Sequence, residues 1–158
     1  MGSGKSYMGR RLADELSLTF CDLDEWIELK MGVSISQIFS EYGASYFRQL
    51  ESDMVPQLLS LNHNIIALGG GTPCQKGIIE RIKEKGILVL IDVPLNSIVD
   101  RLKDDDQRPM ITGLGLEELE KKVIHMLKER KPYYDQYDYK VSHFSELKML
   151  AQNHFRNK

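Results

Sequence analysis

Apolar positions in the first third of the chain recur at helical spacing, broken wherever the chain has to turn. Met8, Leu12, Ala13 and Leu16 predict a helix that follows Ser6 and runs to about Ser17. Residues 19–22 are short, apolar and then acidic, the form of a strand ending at Asp22. Asp24 is then expected to cap a short helix over 25–30 that stops at Gly32. Ser34-Ile35-Ser36-Gln37 has capping-box form and opens a helix that Gly43 should end. Residues 44–61 are helical again, and Pro56 is expected to kink or divide them because it lacks an N–H and crowds the preceding turn. Residues 64–68 read as a short buried strand running into Gly69-Gly70-Gly71.

The second half repeats the alternation. Residues 75–85 are amphipathic and closed by Gly86. Residues 87–93 are continuously apolar, as parallel strands are when both faces are covered. Pro94 opens the next helix, at a position where a missing N–H costs nothing. That helix yields near Asp104 to a polar stretch reaching Gly115, long enough without periodicity to be a disordered loop or a functional lid over 104–115. A helix over 116–130, a weak strand over 139–142 and a terminal helix over 146–155 complete the chain. Strands alternating with helices imply a three-layer α/β domain with a parallel sheet and right-handed crossovers.

Composition narrows the partners. The 158 residues suit one domain, 1–158, that buries about two-thirds of the surface its unfolded chain exposes. A net charge of −2 excludes the broad positive field of a nucleic-acid binder. No apolar run approaches the roughly 20 residues that span a bilayer, and no secretory segment opens the chain, so no membrane partner and a cytoplasmic location are expected. Cys21 and Cys74 lack zinc-ligand spacing and suit small buried thiols in a reducing compartment. His63, His125, His143 and His154 show no ligand spacing either and read as surface or packing residues.

Chemistry concentrates at the predicted strand ends, where ligands bind in open α/β sheets. Met1-Gly2-Ser3-Gly4-Lys5-Ser6 carries the second half of a phosphate-binding loop, with Gly4, Lys5 and Ser6 in its last three places. Backbone N–H groups of Gly2, Ser3 and Gly4 and the following helix N-terminus can face an anion, Lys5 can reach the β/γ-phosphates and Ser6 can ligate Mg²⁺. Asp22 and Asp24 alternate in an extended segment, so their carboxylates should share a side. One can hold a Mg²⁺-bound water while the other accepts a hydroxyl proton, although a turn residue followed by a helix cap explains them equally well. Arg48 and Glu51, three apart on a helix, can pair and aim the guanidinium at a planar carboxylate, or can be a surface ion pair worth at most about 1 kcal/mol. Three consecutive glycines suggest close approach of a ligand to the backbone at 69–71. Arg108, in the lid stretch, can close over a phosphate, and Arg130 follows in Glu129-Arg130-Lys131-Pro132-Tyr133-Tyr134.

Taken in order, Gly-Ser-Gly-Lys-Ser, Asp-x-Asp, Phe-Arg-x-x-Glu, Gly-Gly-Gly, Arg-Pro and Arg-x-x-x-Tyr resemble the motif set of shikimate kinases, from Met1 to about Ser142. The resemblance implies a P-loop kinase fold of the nucleoside-monophosphate-kinase type, sheet order 2-3-1-4-5, with a lid at 104–115 and substrate-binding helices over 24–61. It implies transfer of the ATP γ-phosphoryl group to the 3-hydroxyl of shikimate, a step of aromatic amino-acid biosynthesis, with Mg²⁺ and as a monomer. It assigns Lys5 and Ser6 to phosphate and Mg²⁺, Asp22 to the position near Mg²⁺ and Asp24 to the reacting hydroxyl. Arg48 and Arg130 would grip the shikimate carboxylate, Gly69, Gly70 and Gly71 would line its hydroxyls, and Phe47 and Glu51 would shape the pocket. Arg108 would reach both ATP phosphates and substrate, with Arg101 and Lys103 toward the adenine side.

Two departures accompany the likeness. The family's first strand and first loop glycine have no counterpart here, which should split the sheet into pairs of strands. The family's late arginine-bearing adenine loop is not recognisable in Val141-Ser142-His143-Phe144-Ser145. A gluconate kinase and a non-catalytic binding protein with a substrate-like pocket are the competing readings. Gly-Gly-Gly with Phe47-Arg48 speaks against the first.

Overall fold

The computed structural model describes residues 2–61, 64–103 and 113–156. Met1, His63, Arg108 and most of the expected lid lie outside these. Helix α1 (Lys5–Leu16) leads to strand β1 (Thr19–Asp22), helix α2 (Leu23–Met31) and the long helix α3 (Ile35–Leu59). Strand β2 (Asn64–Ala67), a short 3-10 turn (Thr72–Cys74), helix α4 (Ile78–Lys85) and strand β3 (Val89–Ile91) follow. Helices α5 (Leu95–Leu102) and α6 (Leu116–Tyr134), strand β4 (Tyr139–Val141) and helix α7 (Phe144–Arg156) close the fold. Mixed helices and parallel strands make the α/β class expected from the pattern.

Local chemistry explains most boundaries and corrects several expectations. Asp22, not Asp24, caps α2: its Oδ1 accepts the Asp24 N–H at 3.0 Å, which leaves Asp24 and Glu25 in the acid-favouring first turn. Asp24 is therefore helical rather than extended, and the two carboxylates are not aligned by strand alternation. Ser34 caps α3 by accepting the Gln37 N–H at 3.2 Å. The break in α3 falls at Gly43, whose φ of 80° and ψ of 172° leave the helical region. Pro56 does not divide the helix, which continues through it to a last turn closed by the Ser60 N–H on the Pro56 carbonyl. Likewise α6 passes Pro132 and ends at Tyr134, beyond the expected limit near Arg130, so Arg130 and Tyr134 stand one turn apart on the same face.

The strands pair in two parallel ladders. β1 pairs with β2 in parallel, Thr19 opposite Asn64 through Asp22 opposite Ala67. β3 pairs with β4 in parallel, Val89 opposite Tyr139 through Ile91 opposite Val141. No pairing joins the two ladders among the described residues. The core divides accordingly. Leu23, Ile27, Ile38, Phe47, Val55 and Leu58 pack with Ile78 and Ile82 around α2, α3 and α4. Ile98, Val99 and Leu102 meet Leu119 and Val123 between α5 and α6, and Leu12 packs against Val141, Leu147 and Ala151. At about 1.5–3 kcal/mol for each fully buried aliphatic side chain, Leu23, Ile27 and Ile38, all without solvent exposure, anchor the first cluster. β3 departs from its expected full burial: Val89, Leu90 and Ile91 are each half-buried, because one edge opens onto a cavity.

Candidate active site

The amino end of α1 and the carboxyl end of β1 meet at a compact polar cluster. Gly4 caps α1 with φ 83°, a left-handed conformation that glycine adopts without steric cost. This places the first N–H groups of α1 and the Lys5 side chain at one end of the helix dipole, a ready site for an anion. Lys5 Nζ lies 3.1 Å from Asp22 Oδ2 and donates to Ser6 Oγ at 3.1 Å, while the Ser6 hydroxyl donates to the same Asp22 oxygen at 2.5 Å. Asp22 is buried and its other oxygen caps α2, so one carboxylate ties the loop to β1 and α2 together. Arg101, from the last turn of α5, donates to the Gly2 carbonyl at 3.0 Å and lies against Gly4. The structure thus sets Arg101 at the loop backbone, while Lys103 pairs with Asp100 on the outer face of α5.

A second cluster forms where α3, the glycine run and α6 converge. Glu51 is wholly buried and accepts three hydrogen bonds: from Arg48 Nη1, from the Thr72 hydroxyl at 2.5 Å and from Gln75 Nε2 at 2.8 Å. Arg48 is thereby held against the glycine run. A Cβ built on Gly71 would lie 2.7 Å from the Arg48 guanidinium, and one on Gly69 would meet Glu51 Oε1 at 2.8 Å and Asp24 Oδ1 at 3.2 Å. Hydrogen at these two positions is what lets three functional side chains close on the backbone. Tyr134 donates to the Gly70 carbonyl at 2.7 Å and stands one turn from Arg130, so α6 carries both the support of the middle glycine and one arginine. Burial pushes the Tyr134 phenol above its ordinary value, an effect Arg130 opposes. Cys74 is likewise pushed up by burial, while Arg130 and then Arg48 pull it down.

Asp22, Lys5 and Ser6 are therefore brought together, and Asp24 Oδ1 faces Gly69 at the second cluster. Arg48, Arg130 and the three glycines form that cluster with Phe47 buried beneath Arg48. Arg108 lies outside the described residues. Reading the sequence by itself missed Thr72 and Gln75 as partners of Glu51, and Tyr134 as the support of Gly70. The signal available was polar residues directly following a glycine run. Among the described residues no group of three or more His, Cys, Asp or Glu side chains can hold a metal. Ser6 and Asp22 offer a smaller all-oxygen pair of the kind Mg²⁺ takes when phosphates and waters complete its shell.

A phosphate loop opening a helix, a buried carboxylate at the end of the adjoining parallel strand and a separate arginine-lined pocket define a P-loop kinase. A family model described as shikimate kinase matches residues 1–155. The chain belongs to the shikimate kinase family. A shikimate kinase from Persephonella marina is 37% identical over 142 residues, 90% of this chain and 84% of that protein. One from Caldicellulosiruptor bescii is 31% identical over 143 residues, covering 90% and 81%. The solved structure of an Acinetobacter baumannii shikimate kinase in complex with shikimate matches with a TM-score of 0.89 at 32% identity, covering 100% of this chain and 90% of that one. The Bacteroides thetaiotaomicron enzyme matches with a TM-score of 0.86 at 32% identity, covering 91% and 82%.

Proposed function

We propose that this chain phosphorylates the 3-hydroxyl of shikimate with ATP, and that the site residues divide between a nucleotide half and an acid-binding half. The observation that carries this reading is Arg48, held by Glu51 against Gly71, with Asp24 Oδ1 against Gly69 and Arg130 one helical turn from the Tyr134 that holds the Gly70 carbonyl. A planar carboxylate on the substrate suits two guanidinium groups, and a hydroxyl set against Asp24 suits a carboxylate acceptor. The backbone at Gly69, Gly70 and Gly71 lines the remaining hydroxyls, and Glu51 holds Arg48 in its fork geometry.

In the reaction, the substrate hydroxyl oxygen bonds to the γ-phosphorus, the bond from that phosphorus to the β–γ bridging oxygen breaks, and ADP leaves. The hydroxyl proton passes to Asp24. Lys5 and the α1 N-terminus balance the negative charge of the transferring group, since positioning and electrostatics dominate phosphoryl transfer. Ser6 and Asp22 would hold Mg²⁺, which supplies further charge neutralisation at the phosphates when bound. No described helix is long and apolar enough to cross a membrane. We place the enzyme in a reducing cytoplasm, in keeping with its free thiols, Cys21 and Cys74, and propose that it acts as a monomer.

One observation favours a second reading, substrate binding without turnover: the sheet beside the phosphate loop is split. A coupled ADP-release assay with shikimate and with gluconate separates the possibilities. ADP release that depends on shikimate is expected. Turnover of gluconate alone overturns the substrate assignment, and shikimate binding without ADP release establishes the second reading.

A further inference from the structure

The ion pair between Arg48 and Glu51 is a one-point contact, and its neighbours explain why. Arginine–carboxylate pairs frequently join by two parallel N–H···O bonds, one from each nitrogen of an edge of the fork. Among the described residues Arg48 meets Glu51 through Nη1 and Oε2 alone. The other oxygen is occupied: Oε1 accepts the Thr72 hydroxyl at 2.5 Å, and neither Thr72 nor Glu51 is exposed to solvent. Oε2 is shared, since it also accepts from Gln75 Nε2 at 2.8 Å. Each oxygen of the buried carboxylate therefore carries a neutral donor, and one of them carries the cation as well.

The backbone sets both donors. The Thr72 N–H donates to the Gly69 carbonyl at 3.1 Å and the Gln75 N–H to the Thr72 carbonyl at 3.2 Å, so the 3-10 turn after the glycine run brings both side chains to Glu51. A Cβ on Gly69 would lie 2.8 Å from Glu51 Oε1 and 2.9 Å from Thr72 Oγ1, so glycine is what admits this pair. A Cβ on Gly71 would lie 2.7 Å from Arg48 Nη2 and 2.8 Å from both Cζ and Nη1. Near-equal distances to three atoms of one planar group put that point over its flat face. Gly71 thus covers the face of the guanidinium and leaves its edges. One nitrogen is spent on Glu51, and Nη2 has no hydrogen-bond partner among the described residues.

We propose that Thr72 and Gln75 are positioning residues for the substrate: by occupying Glu51 they hold its bond to Arg48 at one nitrogen and keep Nη2 open for the carboxylate of the acid. Without the Thr72 hydroxyl, Oε1 becomes a buried acceptor with no donor, and the guanidinium already bonded to the other oxygen supplies one through its second nitrogen. The pair then closes into a two-point fork, and the acid loses a donor. Gln75 acts on the oxygen that Arg48 uses and holds the carboxylate from turning. The inference rests on the carboxylate-binding role of Arg48 proposed above.

The test compares the parent chain with Thr72→Val, Thr72→Ser and Gln75→Leu. Thr72→Val keeps the shape and removes the donor, and should raise KM for shikimate at least about fivefold with kcat within about twofold of the parent. Thr72→Ser keeps the hydroxyl and should hold KM within about twofold, the reverse of the order that a packing role gives, since Ser lacks the methyl that Val retains. Gln75→Leu, at a half-buried position, should raise KM about threefold, and it decides the matter if Thr72→Val does not fold. Guanidinium nitrogen NMR without shikimate reads the ion pair itself, with the Arg48 signals identified by their loss in Arg48→Lys. Slower hydrogen exchange at the second nitrogen of Arg48 is expected in Thr72→Val. A parent chain that binds no shikimate removes the substrate reading and leaves this readout standing. Unchanged KM in the folded variants, a fall in kcat that matches or exceeds the rise in KM, Thr72→Ser no better than Thr72→Val, or unchanged exchange at that nitrogen overturns the proposal.

Discussion

Replacing Glu51 by Gln tests the polar network that holds the acid-binding half in place. The carboxylate has no solvent exposure and accepts from Arg48, Thr72 and Gln75. The amide keeps the shape but loses the charge, and its NH₂ can only face donors on one side. Two charge-assisted hydrogen bonds at about 1.5–3 kcal/mol each are at risk. Arg48 is 32% exposed, so water recovers part of its loss and the lower end of that range applies to it. The expected destabilisation is about 3 kcal/mol, read from the urea midpoint with an unchanged m-value. The same variant should raise KM for shikimate about tenfold with a smaller effect on kcat, because the guanidinium is no longer aimed at the carboxylate. A midpoint within about 0.5 kcal/mol of the parent, together with unchanged KM, would refute the reasoning.

Three further outcomes follow from the site. Lys5→Met should abolish ADP release while leaving shikimate affinity within about twofold, since the hydrogen-bond partners of Lys5 among the described residues are Ser6 and Asp22. Gly71→Ala places a methyl 2.7 Å from the Arg48 guanidinium, a side chain that can move, so shikimate affinity should fall with little loss of stability by thermal denaturation. Burial raises the Cys74 and Tyr134 values in the folded state, so their contribution is complete below the ordinary 9.0 and 10.0 and is lost as pH rises through the folded values. Urea midpoints should therefore hold to about pH 9 and then decline, with a shallower decline above about pH 10 in Tyr134→Phe.

What the sequence revealed and what it hid divide along physical lines. The bounds of β1 and the stop of α2 at Gly32 follow from local pattern, and both appear in the structure. Caps were less secure. Asp22 and Asp24 are two residues apart and equally good N-caps by type, and only the hydrogen bond from the Asp24 N–H decides between them. Pro56, expected to kink or divide its helix, does not divide it, and Pro132 also stands inside a continuing helix, where tertiary packing outweighs the loss of one backbone bond. The phosphate loop, the two arginines and the glycine run were legible because each is a compact motif. Thr72 and Gln75 were not, because they reach Glu51 across 21 and 24 residues of chain and no local pattern encodes that contact. The division of the sheet followed from counting strands against the family order, and the ladders divide in that way.

The central claim is that Arg48 and Arg130 together hold the carboxylate of shikimate beside the phosphate loop. Isothermal calorimetry of shikimate against the parent chain, Arg48→Ala and Arg130→Ala tests it most directly. Each variant should bind at least about tenfold more weakly, the loss of a charge-assisted contact of about 1.4 kcal/mol or more. Unchanged affinity in both variants would contradict the account.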